Sequence, residues 1–398
     1  MSKNFAPVEI VAQKLEQASA LLKENDIDLW ITFVEETKAG RERIFDYIAV
    51  ADLTWESAIV ITKSGEKFVI LGQFDEQPFR ESRLYTRMIP YVQDFKDPIT
   101  ELLKQYSPKK VALNYSFQDA SADGITYGKY NYLEKIIKET APQAMIVSAE
   151  GIINGLISQK TPKEIEYIEK AVKITEEIFT EISTFLKAGK TEKEVYDFIQ
   201  EKISSRGFKP SFETLVFTGD RGDGMGHGQV TENMIQKGDL LHVDMGVFCN
   251  GYASDLQRTW YFLKNGEKKA PAAAVKGFCT IRDAIVESGK ELKPGGKGLD
   301  LDTISRSHIV KMGYPEYPHA LGHQLGRNVH DGGTILGPAW ARYKNTPFMK
   351  LFLNQVFTLE PSLKIEGFGA IGIEEDVIVS EKGAKYLSHP QKELWLIK

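Results

Sequence analysis

His242-Val-Asp-Met-Gly-Val-Phe-Cys-Asn-Gly-Tyr-Ala-Ser-Asp-Leu-Gln-Arg-Thr259 carries two aspartates, Asp244 and Asp255, on either side of an Asn-Gly pair. Asn-Gly between alternating apolar runs predicts a two-residue hairpin, because both residues tolerate the positive φ of a type I′ turn. With Asn250 and Gly251 at the tip, Cys249 faces Tyr252, Gly246 faces Asp255 and Asp244 faces Gln257. That register makes the aspartates diagonal neighbours on one face of the ribbon. Two carboxylates held side by side repel unless a cation lies between them or one takes up a proton. A metal ion, or a pair of them, is the natural filler. A solvated strand face is the alternative; Val243, Met245 and Val247 on the opposite face suit it, whereas Gly246 and Phe248 beside Asp244 do not.

A second carboxylate pair lies downstream. Val356-Phe-Thr-Leu-Glu360 reads as a strand ending in a glutamate, and Ile371-Gly-Ile-Glu374-Glu-Asp-Val-Ile-Val as another strand carrying one. A turn centred on Gly367 sets Glu360 opposite Glu374, where like charges again ask for a cation. Between the two pairs, His319, His323 and His330 sit in the Gly-punctuated stretch Tyr317–Gly333. Singly, each glutamate fits an ordinary strand and each histidine a hydrogen-bonded core position. Together, carboxylates with one imidazole suit Mn, Co, Fe or Zn in a two-metal arrangement, with ions roughly 3.5–4 Å apart.

The rest of the chain frames this site. At 398 residues two domains are expected. The first, residues 1–158, alternates strands (Ile27–Phe33, Ala58–Thr62, Lys67–Leu71, Lys110–Leu113) with helices (Val11–Glu24, Pro98–Gln105, Tyr130–Glu139). Ser64-Gly65 marks a hairpin turn. This small α/β domain has no histidine and no Gly-rich phosphate loop. The second domain, 159–398, opens on Thr161-Pro-Lys-Glu164, an N-cap, Pro at the first helical position and a capping-box Glu. Further helices are expected around Thr191–Arg206 and Ala272–Ser288. All seven histidines lie in this domain. A net charge of −5, with 42% hydrophobic and 26% charged residues, gives no reason to expect nucleic-acid or membrane partners. Two cysteines outside any ligand spacing, and an N-terminus without an apolar signal core, lead to a cytoplasmic expectation.

The order Asp244, Asp255, His323, Glu360, Glu374 resembles the pita-bread metallopeptidases, the group of methionine aminopeptidase, prolidase and aminopeptidase P. Gly251-Tyr-Ala-Ser-Asp-Leu-Gln-Arg-Thr259 is close to that family's Gly-Tyr-x-Ser-Asp-x-Thr-Arg-Thr, and His319–Asp331 is especially like the aminopeptidase P branch. The resemblance implies a creatinase/prolidase-like N-terminal α/β domain and an α+β pita-bread catalytic domain. It implies that Asp244 chelates one metal ion, that Asp255 and Glu374 bridge two, and that His323 and Glu360 complete the second site. A metal-bridging hydroxide would then attack an Xaa-Pro bond, with Glu360 carrying the proton to the leaving nitrogen. His227, His319 and His330 would hold the carbonyl oxygen. Two divalent ions, manganese foremost, a short proline-containing peptide or small amide as substrate, and a homodimer follow from the same resemblance.

Three positions depart from the family pattern: Gly372 where an Arg is usual, Gln257 for Thr, and Gln324 for Gly or Trp. The stretch Gly219–Gly226 ahead of His227 is also unusually Gly-rich. These positions are expected around the substrate rather than the metals. They keep open a creatinase-like hydrolase of a small non-peptide C–N bond and, as a further alternative, an inactive binding protein of the same fold. His242, His308 and His389 are read as structural.

Overall fold

The structure, a computed structural model, describes residues 5–219 and 230–398. The chain divides into two compact units, Met1–Ile157 and Ser158–Lys398.

The first unit is built on a six-stranded mixed sheet. Its strands are β1 (Leu29–Val34), β2 (Ser57–Thr62), β3 (Lys67–Gly72), β4 (Arg87–Tyr91), β5 (Lys110–Leu113) and β6 (Met145–Ser148), in spatial order β4-β3-β2-β1-β5-β6. Its helices are α1 (Val8–Glu24), α2 (Phe45–Ile48), α3 (Glu76–Ser82), α4 (Lys96–Tyr106), α5 (Tyr127–Thr140) and α6 (Glu150–Ser158). The three central strands are buried along their whole length, as expected for a sheet covered on both faces. Alternation sends Leu29, Ile31 and Phe33 into one cluster with Ile99 and Leu103 of α4 and Leu133 and Ile137 of α5. The helix expected over Val11–Glu24 begins three residues earlier, at Val8.

The second unit opens with α7 (Pro162–Phe185), whose start is the expected capping box: the Thr161 hydroxyl accepts from the Glu164 backbone while the Glu164 carboxylate accepts from the Thr161 backbone. The remaining helices are α8 (Glu192–Ser205), α9 (Ala272–Lys290) and α10 (Gly298–Lys311). The strands are β7 (Lys209–Pro210), β8 (Leu215–Thr218), β9 (Leu240–Met245), β10 (Val247–Cys249), β11 (Tyr252–Ala253), β12 (Leu256–Phe262), β13 (Val356–Leu359), β14 (Ser362–Ile365), β15 (Gly369–Gly372), β16 (Glu375–Ser380), β17 (Gly383–Tyr386) and β18 (Trp395–Ile397). Among the described residues no helix is long and apolar enough to cross a membrane.

Two long hairpins dominate this unit, and both are interrupted part-way. The first runs from β9 and β10 to β11 and β12. Its tip is the Asn-Gly turn, with φ of 51° at Asn250 and 80° at Gly251, and the predicted partners Cys249 with Tyr252 and Asp244 with Gln257 are the observed ones. The second runs from β13 and β14 around Gly367 to β15 and β16. Ser362 pairs with Gly372, and Leu359 with Glu375. The register therefore continues across the interruption without slip. Phe357, Leu359, Ile371, Ile373 and Val377 pack from this hairpin against Phe278 and Ile281 of α9 and Leu301 and Ile309 of α10. That leaves the alternate residues, among them Glu360, Glu374 and Asp376, for the opposite face.

Candidate metal centre

The carboxylates sit in the interruptions. The first hairpin breaks between β10 and β9 at Gly246 and between β11 and β12 at Ser254 and Asp255. A side chain at Gly246 would drive its Cβ into the Ser254 carbonyl, so the close approach there requires glycine. The second hairpin breaks at Glu360-Pro361 and Ile373-Glu374, so the strand expected from Ile371 is split in two and the one expected to end at Glu360 stops at Leu359. A broken ladder leaves backbone groups that must find other partners. They find them in the other hairpin and in the histidine segment: the Glu374 N–H donates to the Gln257 carbonyl at 3.2 Å and the Glu360 N–H to the Leu321 carbonyl at 2.8 Å. The Asp255 N–H donates to Asp376 Oδ2 at 3.1 Å. These bonds lock the two breaks together.

The histidine segment joins from the side. His323 and Thr358 exchange two bonds, from His323 N–H to Thr358 Oγ1 at 3.2 Å and from Thr358 N–H to the His323 carbonyl at 3.0 Å. Lys160 anchors the far end of the segment by a fully buried ion pair with Asp331, 2.9 Å.

Five of the expected residues converge. Asp244 and Asp255 share a face of the first hairpin, as its register requires. His323 Nε2 lies 3.6 Å from Asp255 Oδ2 and 3.4 Å from Glu360 Oε1. One ligand atom each from Asp255, His323 and Glu374 falls within 4.8 Å of the others. His323 Nδ1 is 3.2 Å from the Gln324 carbonyl; donating there places the Nε2 lone pair toward the carboxylates, the usual way a metal-binding imidazole is oriented. Arg258, buried, donates to the Glu374 carbonyl at 2.8 Å and to Glu375 Oε2 at 3.2 Å, fixing the backbone that carries Glu374.

The electrostatics of the cluster are those of carboxylates crowded together away from water. Burial pushes the Asp244 carboxyl up to about 7. Asp255, Glu360 and Glu374 are raised well above the usual carboxylate range by burial first and by the charges of neighbouring carboxylates, Asp244 among them, second. Burial holds His323 down to about 3 and, together with the nearby His330, keeps it neutral. Asp244 Oδ1, Asp255 Oδ1 and both oxygens of Glu374 are buried without a hydrogen-bond partner. Buried oxygens of this kind are rare unless an ion, water or proton satisfies them. A donor set of carboxylate oxygens with one imidazole nitrogen fits a divalent transition ion.

The remaining expected residues are placed unevenly. His330 stacks edge-on against His323, ring centroids 4.3 Å apart. Both nitrogens of His319 are engaged, Nδ1 with the Ala320 carbonyl at 2.8 Å and Nε2 with the Ser362 hydroxyl at 2.6 Å, so in this arrangement it has no free donor for a carbonyl oxygen. His227 lies outside the described residues. Of the departures, Gln257 belongs beside the carboxylates and not in a substrate pocket, since its amide nitrogen is 3.3 Å from Glu360 Oε2. Asp376 was missed: it is fully buried and holds the Asp255 backbone. Its signal was two-residue spacing from Glu374, which places both side chains on one strand face.

The profile of metallopeptidase family M24 matches residues 166–381. The chain belongs to that family. An uncharacterized peptidase YqhT of Bacillus subtilis is 30% identical over 277 residues, 69% of this chain and 73% of that one. The Xaa-Pro dipeptidase of Pyrococcus furiosus is 30% identical over 267 residues, 67% and 72% of the two chains. Among solved structures, the Xaa-Pro dipeptidase from Bacillus anthracis superposes with a TM-score of 0.72 at 24% identity, covering 97% of this chain and all of its own. The pita-bread architecture with an N-terminal α/β domain expected from the resemblance is thus the architecture of this M24 metallopeptidase.

Proposed function

We propose that this M24 metallopeptidase hydrolyses Xaa-Pro bonds of short peptides with two divalent ions held by Asp244, Asp255, His323, Glu360 and Glu374. One observation carries the reading: four buried carboxylate oxygens from Asp244, Asp255 and Glu374 lack any hydrogen-bond partner and stand beside the oriented Nε2 of His323. The family and the Xaa-Pro dipeptidases among its relatives support the substrate class. When bound, the ions would acidify a shared water and polarise the scissile carbonyl. Glu360, partly exposed like Asp244 and His323 where Asp255 and Glu374 are buried, takes the proton from the attacking water and passes it to the leaving nitrogen. His330, at the exposed edge of His323, and His227 donate to the carbonyl oxygen as it gains charge. His319 joins them only by giving up Ser362.

The test is turnover of the purified, manganese-loaded protein on a panel of Xaa-Pro dipeptides and tripeptides set against small amides and ureido compounds. Hydrolysis of the peptides alone is expected. Turnover confined to the small amides would replace the substrate class, and a protein that binds no divalent ion would overturn the reading as a whole. Within it, His227→Ala is expected to lower kcat and kcat/KM together by roughly a hundredfold to a thousandfold, the usual cost of one such donor, with metal stoichiometry unchanged.

A further inference from the structure

The two departures at Gln257 and Gly372 meet at one point, and a histidine read as structural meets them there. Gln257 lies on β12 with its side chain buried. Its Nε2 is 3.3 Å from Glu360 Oε2 and its Oε1 is 3.0 Å from His242 Nε2. As a metal ligand Glu360 is ionised and only accepts, so the amide must turn its NH2 toward it. Its oxygen then faces His242, which donates through Nε2–H. A lone amide could present either end; the imidazole donor removes that freedom. His242 itself is held in place on β9, two residues before Asp244, with its ring stacked on that of Phe217, its cross-strand partner in β8.

Gly372 supplies the room. A Cβ there would lie 2.5 Å from His242 Nε2 and would overlap Gln257 Oε1; the three nearest atoms it would meet all belong to these two side chains. Thr259, the cross-strand partner of His242, bonds both the carbonyl and the N–H of Gly372, so the backbone at that position cannot swing aside to admit a side chain.

We infer that Gln257 and His242 are a positioning pair that fixes the carboxylate of Glu360 toward the metal centre, with Gly372 as the space the pair requires. This rests on Glu360 being a metal ligand and proton carrier, as proposed above. Hydrogen-bond partners of metal ligands typically cost 10–100-fold in metal affinity or activity when removed.

The test compares wild type, Gln257→Met, His242→Phe and Gly372→Ala by calorimetric titration with Mn²⁺, by kcat and KM on an Xaa-Pro dipeptide, and by the Tm of the metal-free protein. Methionine keeps the volume of Gln257 and removes its donor, so Mn²⁺ affinity or kcat is expected to fall about 10–100-fold at nearly unchanged Tm. His242→Phe keeps the ring on Phe217 and is expected to shift the same quantities less. Gly372→Ala is expected to match Gln257→Met in the wild-type background and to add no further loss in the Gln257→Ala/His242→Ala background, where its neighbours are gone. Mn²⁺ affinity and kcat of Gln257→Met equal to wild type would overturn the positioning role, as would a fall in Tm alone. An undiminished effect of Gly372→Ala in the double-mutant background would overturn the part given to Gly372. Wild type that binds no Mn²⁺ would instead bring down the functional reading on which the inference stands.

Discussion

Glu374 and Glu375 are neighbours in the chain and both are buried, yet they live in opposite chemical worlds. Glu375 is fully furnished: Arg258 Nη2 at 3.2 Å, the Ser388 hydroxyl at 2.5 Å and the Gln391 N–H at 3.0 Å all donate to it. Glu374 has neither oxygen partnered and faces Asp255, Glu360 and Asp244, whose charges add to its burial in raising its pKa. Strand alternation explains why consecutive residues reach two such places. One face of the hairpin is satisfied by protein donors; the other leaves carboxylate oxygens without them, as the proposed cation site would. A buried carboxylate with donors is an element of the fold, and a buried carboxylate without them is an element of the chemistry.

The sharpest way to break this comparison is to neutralise the unfurnished side. Asp255→Asn and Glu374→Gln are expected to abolish peptidase activity, because a neutral amide holds divalent ions weakly. The same changes relieve like-charge crowding, so the metal-free variants should melt at or above the wild-type Tm. Calorimetry of both forms, paired with metal analysis and turnover, checks it. Near-wild-type turnover by either metal-reconstituted variant would remove that residue from the site.

On the furnished side the expected sign reverses. Glu375→Gln leaves the Arg258 guanidinium buried without its nearest counter-charge, the other carboxylate, Glu176, being 4.0 Å away. Breaking a buried pair from one side costs about 3–5 kcal/mol. Urea unfolding of the metal-free protein should show a loss of that order, with Mn²⁺ stoichiometry retained in the folded fraction. A variant as stable as wild type would mean that the contrast between the two glutamates is one of geometry only.

The sequence made much of this readable, and the limits are instructive. Asn250-Gly251 fixed the first hairpin, because the turn demands positive φ and the strand period of two then sets every partner; Gly367 did the same for the second. In the first unit the central strands and α1, α4 and α5 were legible, whereas β4 and β6 were not. Both are edge strands: β4 contains Pro90, which an edge tolerates, and β6 has four residues, two of them flanking Ile146 and Val147 with little pattern to show. The interruptions at Asp255 and Glu374 left no local trace, since their freed backbone groups are satisfied by residues far along the chain, Asp376 and Gln257. His242 looked like a core histidine and is one by burial; what it does depends on Gln257 and Gly372, which meet it only once the two hairpins lie together.

The smallest expected effect is a slope with pH. A carboxyl whose folded-state pKa stands above its unfolded value keeps a proton that the unfolded chain has released. Its contribution to stability is therefore present at low pH and is lost as pH rises through the folded value. Asp244, pushed up to about 7, and Asp255, Glu360 and Glu374, raised well above the usual range, all act in this sense in the metal-free protein. His242 and His323 act oppositely, being depressed by burial to about 4 and about 3, but that contribution is complete once pH passes the unfolded histidine value of about 6.5. Above it only the carboxylates still count. Metal-free protein should lose stability between about pH 6.5 and 8, by on the order of 1 kcal/mol for a single group like Asp244. Saturating Mn²⁺ should flatten or invert the slope, because the ion takes the place of the protons. Asp255→Asn should make the metal-free slope shallower. A metal-free slope that rises with pH in this window would show that the unfurnished carboxylates are already ionised, and that their oxygens find partners in water rather than awaiting a cation.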